Sequence, residues 1–152
     1  MAGITSALCT SFKVELLEGD HDFNNGADAF KVALFKANAS ITGTYSAATT
    51  NYSDMTGNSD ELPNGSGYTT TGFALTNVNP TSTGTTAFTD FSANASWTSA
   101  TFTTRGCIIY NTSDGNSAVA VINFGADYSV SGGTFEIQWP TADSSNAIIR
   151  IA

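Results

Sequence analysis

Positive charge is scarce in this chain. Five basic residues, Lys13, Lys31, Lys36, Arg105 and Arg150, stand against thirteen acidic ones, for a formal net charge of −8. The five are scattered, whereas nucleic-acid binding needs clustered cations that displace counterions from phosphates. DNA and RNA are therefore not expected partners, nor are anionic membrane surfaces. Histidine occurs once, at His21, and cysteine twice, at Cys9 and Cys107. That set has no zinc-ligand spacing and makes no disulfide framework. The two thiols read as small buried apolar groups. No apolar run approaches the roughly 20 residues that span a bilayer. The first nine residues, MAGITSALC, lack a basic and then apolar leader pattern. Synthesis and folding in a cytoplasm are expected.

Charged residues make up 12% of the 152 positions, against a typical value of about 25%. Thr, Ser, Asn and Gly supply polarity instead. Thr suits a half-exposed pleated face, and Ser, Asn and Gly suit turns. The hydrophobic share of 41% is that of a folded protein. A chain of this length buries about two-thirds of its unfolded surface as one domain.

Ile4, Leu8, Phe12 and Leu16 recur every four residues, which predicts an amphipathic helix over roughly residues 5–17. Thr5 or Ser6 would cap it and Gly19 would end it. Residues 30–35 read as a strand. Residues 37–68 are rich in Ser, Thr, Asn and Gly and read as a long loop, with a short strand near 41–45. Strand patterns follow at Phe73 and Leu75, at 87–91, at Trp97 and at 102–110. A turn around Asp114 and Gly115 joins the last of these to residues 118–124 as a hairpin. Phe135, Ile137 and Trp139 alternate with polar residues, and residues 148–151 close the chain. Strand signals at roughly ten-residue intervals predict an all-β fold. The expected architecture is one domain over residues 1–152: an antiparallel β-sandwich, jelly-roll or immunoglobulin-like, with a short N-terminal helix or arm over 1–18. A closed barrel is the alternative.

Chemistry-bearing patterns are few. His21 lies in an Asp-His-Asp turn and reads as exposed, with no Gly-x-Ser-x-Gly nucleophile motif anywhere. Asp20 through Asp28 offers oxygens, but an EF-hand register puts Asn25 where glycine belongs and Lys31 where the bidentate acid belongs. The carboxylates Asp60, Glu61, Asp90, Asp114, Asp127, Glu136 and Asp143 read as solvated surface. Trp97 and Trp139 read as core packing. No catalytic residue, metal or cofactor is expected.

Three stretches carry a family likeness: MAGITSALCTSFKVELL (1–17) with FKVALF (30–35), RGCIIYN (105–111) with AVAVINFG (118–125), and FEIQWP (135–140) through DSSNAIIRI (143–151). Together they resemble a group of small virion proteins of tailed bacteriophages. The resemblance implies a structural, non-enzymatic part of the particle, most simply a capsid decoration or cement protein. Its partner would be the major capsid protein lattice and its place the capsid surface of the virion. Such proteins commonly form trimers, so a homo-oligomer is expected. Alternatives are a tail, fibre or adaptor component, or a carbohydrate-binding or adhesin module. The expected interface is the apolar stripe Ile4, Leu8, Phe12 and Leu16, together with residues 37–68.

Overall fold

The computed structural model describes residues 2–152. The chain runs β1 (Gly3–Ile4), β2 (Ala7–Leu8), α1 (Thr10–Glu18), β3 (Phe30–Lys36), β4 (Thr44–Tyr45), α2 (Tyr52–Gly57), β5 (Phe73–Ala74), β6 (Thr81–Thr83), β7 (Thr86–Thr89), β8 (Ala95–Asn111), β9 (Ser117–Ile137) and β10 (Ile149–Ile151). The fold is mostly β, as expected. A five-stranded sheet has the order β2-β9-β8-β3-β5, a three-stranded sheet the order β10-β7-β6, and β1 pairs with β4. All pairs are antiparallel except β1–β4.

The long β8–β9 hairpin is the backbone of the molecule. Its turn contains Gly115 and Asn116 at φ 52° and 66°, values that these two residue types tolerate. β3 pairs with β8 on one side and β5 on the other. Val32, Ala33, Leu34 and Phe35 are all buried, so this central strand reads as a run and not as an alternation. In β9 the register slips: Gly106 faces Asn123, yet Thr104 faces Tyr128. Residues 124–127 are thereby pushed out as a wide bulge. A Cβ on Gly106 would lie 2.3 Å from the Ile122 carbonyl oxygen, so only glycine admits this approach.

Several expectations need correction. The helix starts at Thr10, and Ile4 and Leu8 lie on strands. A four-residue spacing is also a multiple of the strand period of two, and the backbone of this segment bonds elsewhere. Gly3 N–H donates to the Gly43 carbonyl at 2.9 Å, Thr5 N–H to Tyr45 at 2.8 Å and Cys9 N–H to Val119 at 3.0 Å. Gly19 does end the helix, in the left-handed region at φ 87°. The separate strands expected at 97 and 102–110 are one strand, β8, and those at 118–124 and 135–139 belong largely to β9. Ser99, Gly125 and Gly132 adopt positive φ inside these strands, so residues that look like turns make bulges instead.

Residues 37–68 are no open loop. They hold a 3-10 turn (Asn38–Ser40), β4 and α2, and they bury Ile41, Tyr45, Met55, Leu62 and Tyr68 in the common core. Asn51 and Asp54 form a reciprocal capping box on α2. Among the described residues, no helix is long and apolar enough to cross a membrane.

Candidate functional site

A catalytic or ligand-binding centre would draw on buried polar groups. Residues 60–62 run beside β3: Lys36 N–H donates to the Asp60 carbonyl at 2.9 Å and Leu62 N–H to Leu34 at 3.0 Å. The strand-like alternation sends the Asp60 and Glu61 side chains in opposite directions. Neither is the solvated surface group expected. Asp60 is fully buried. It accepts hydrogen bonds from Gly43 N–H at 2.8 Å, from Thr42 N–H at 3.0 Å and from the Tyr45 hydroxyl at 2.5 Å. Burial alone would raise its pKa, but these donors outweigh burial and hold the carboxyl below its ordinary value. Glu61 accepts from the Tyr52 hydroxyl at 2.5 Å, the Tyr68 hydroxyl at 2.7 Å and Thr71 N–H at 2.8 Å. Burial, and then the Glu61 carboxylate, push the Tyr52, Tyr68 and Tyr110 phenols upward. With their own backbone held beside β3, both acids therefore serve as pins that gather Thr42, Gly43, Tyr45, Tyr52, Tyr68 and Thr71 around it. Asp90, also read as surface, is buried and accepts Phe91 N–H at 2.8 Å and Ile148 N–H at 3.1 Å.

His21 is buried too, against the expectation of an exposed turn. Its ring packs on Phe12 with centroids 5.0 Å apart. Glu15, His21 and Asp114 bring one potential ligand atom each within 4.8 Å of one another, the one cluster of metal-ligating character found among the described residues. Its hydrogen bonds decide its chemistry. Asn111 Oδ1 accepts Ser113 N–H at 2.9 Å and Asp114 N–H at 3.3 Å. Those contacts orient the amide, so Nδ2 donates to Asp28 Oδ2 at 2.8 Å and to His21 Nδ1 at 2.9 Å. Nδ1 is thus an acceptor. The ring proton sits on Nε2, 2.9 Å from Glu15 Oε2. A metal-bound histidine donates from its second nitrogen, and here that nitrogen already receives a hydrogen bond. The trio is a linkage between α1 and the β8–β9 turn, poorly suited to a cation.

The thiols of Cys9 and Cys107 are free and buried. Trp97 is buried, and half-buried Trp139 donates its indole N–H to the Ala93 carbonyl at 2.9 Å.

No protein-family model matches this chain, and neither a curated protein nor a solved structure does. The functional reading rests on the chain's own surface.

Among the described residues, that surface exposes four large apolar side chains: Val14, Leu17, Tyr128 and Ile151. Leu17 is 89% exposed. Val14 and Leu17 stand one turn apart on α1. A groove of about 370 Å³ lies between Leu16 and Leu17 of α1 and Ile149 and Ile151 of the edge strand β10, with Lys13 and Arg150 on its walls. Elsewhere the β9 bulge leaves an open hollow of about 260 Å³ lined by Phe124, Tyr128, Phe135, Ile137 and Glu136.

The expected interface residues divide accordingly. Ile4 and Phe12 lie in the core. Leu8 and Leu16 are half-buried and line the groove. Val14, Leu17, Ile151 and Tyr128 were not singled out from the sequence. The available signal was that residues 12–17 carry apolar side chains on more than one face of a short helix, which a surface helix packed on one side does not need.

Proposed function

We propose that this chain is a structural protein of a tailed-phage virion, a decoration or cement protein on the outer face of the capsid. The observation that carries the reading is the pairing of buried polar groups spent on the chain's own fold with apolar groups turned outward at two places. Contiguous exposed apolar surface marks sites of protein contact. The family likeness of the three sequence stretches points the same way. A net charge of −8 favours a position away from packaged DNA. The five- and three-stranded sheets are read as the two layers of a β-sandwich: Phe30 of the first and Phe91, just beyond β7, meet with ring centroids 6.1 Å apart.

A protein of this kind stabilises a shell by binding the assembled lattice better than free subunits. The test is co-sedimentation of purified chain with matching phage heads that lack it. Saturable binding with raised heat resistance of the heads is the expected result. Chain left wholly in the supernatant overturns the reading. Removal of residues 1–18 is not a usable variant, because Ile4, Cys9 and Phe12 belong to the core.

A further inference from the structure

We propose that copies of this chain bind one another head to tail, with the β9 hollow of one copy seated on the α1–β10 groove of the next. Among the described residues, three exposed large apolar side chains lie at these two places: Leu17 and Ile151 at the groove, and Tyr128 at the hollow. The two places differ in charge. Lys13 and Arg150, two of the five basic residues of the chain, border the groove. Lys13 carries no ion pair among the described residues. Glu136 borders the hollow. Its carboxylate accepts only neutral amides, Asn94 Nδ2 at 3.1 Å and Gln138 Nε2 at 3.0 Å, so its charge is left uncompensated.

This arrangement selects among the ways two copies can meet. Groove against groove opposes Lys13 and Arg150 with their own kind. Hollow against hollow opposes two Glu136 carboxylates. Groove against hollow joins apolar surface to apolar surface with opposite charges at the rim, the combination that favours one register over its competitors. The occupant of the groove is therefore a second copy of this chain. Such an interface is heterologous, and its repetition gives a ring or an open chain, never a two-fold dimer. The inference deepens the capsid reading, since it assigns the same outward apolar places to contacts between copies, and it fails separately, because self-association is measured without any shell.

The test is charge reversal followed by mixing. Lys13 and Glu136 are both exposed, so Lys13→Glu and Glu136→Lys leave the thermal midpoint in place, which circular dichroism checks. Sedimentation equilibrium at about 100 µM, where contacts of ordinary affinity are occupied, is expected to show wild-type species larger than a dimer. Each variant alone should associate about tenfold more weakly, because like charges then face each other. An equimolar mixture of the two should regain wild-type association, since Lys13 of one variant meets Glu136 of the other. Leu17→Gln should weaken association by a similar factor without changing its salt dependence. A monomeric wild type, a closed dimer, or a mixture that associates no better than its components would overturn the proposal.

Discussion

Asn111 donates its amide hydrogen to Nδ1 of His21 at 2.9 Å, and thereby fixes the ring proton on the opposite nitrogen, against Glu15. His21 and Glu15, two of the three groups that have the composition of a metal site with Asp114, are in this way committed to hydrogen bonding. The expected outcome is that divalent zinc or manganese leaves the thermal midpoint unchanged. A ligand bound only by the folded state at 100 times its Kd would add about 2.7 kcal/mol, a rise easily seen by differential scanning calorimetry. Such a rise would show that the Asn111 orientation yields to a cation.

The Asp60 carboxylate is fully buried among its donors. Asp60→Asn replaces one acceptor oxygen by an amide that faces the Thr42 and Gly43 N–H groups. The expected cost is about 2–4 kcal/mol, read as a lower urea midpoint at unchanged slope. The carboxyl is held below its ordinary value in the fold. Its stabilisation is therefore complete above the unfolded pKa of about 3.9 and is lost as pH falls through the folded value. The gap between wild type and Asp60→Asn should narrow below about pH 4. Asp90, pushed upward by burial against the Phe91 and Ile148 N–H donors, titrates with the opposite sign, and the comparison of variants cancels it.

Gly106 sits where the β9 backbone leaves no room for a side chain on β8. Gly106→Ala sets a methyl group 2.3 Å from the Ile122 carbonyl oxygen and 3.2 Å from Ile4 Cδ1. Backbone cannot yield as a flexible side chain would, so a loss of about 2–4 kcal/mol is expected in chemical denaturation. An unchanged midpoint would mean that the bulge at 124–127 relaxes to make room.

The sequence made the mostly β character legible because β3, β8 and the hairpin turn at Gly115 are specified locally, by β-branched and aromatic runs between turn residues. It misled where two readings share a period: Ile4 and Leu8 fit helix and strand equally. It also misled where burial depends on remote partners. Nothing near Asp60 in the chain announces that Tyr45 and Thr42 will surround it, and nothing near His21 announces Asn111, 90 positions away. The Asn51–Asp54 capping box, by contrast, was written locally and marks α2 inside a stretch that composition alone makes look loose. The exposed groove and hollow lay furthest from view, since exposure of Leu17 or Tyr128 is decided by what fails to pack on it.

The two thiols offer a probe of the core. Burial pushes the Cys9 thiol up to about 12, with Glu15 and Asp54 adding to it, and burial pushes Cys107 upward as well. The thiolate is the reactive form. Ellman's reagent should find neither group in the folded chain and both in denaturant. Rapid labelling under native conditions would show that β2 and α1 open readily from the sheet.

Leu17 and Ile151 form outward apolar surface that exists to be covered. Cryo-microscopy of phage heads that carry the protein tests this most directly. The expected map places the chain on the outer capsid surface, with Leu17 and Ile151 covered by a neighbouring protein. A map without the chain on the head, or with both side chains facing open solvent, would contradict it.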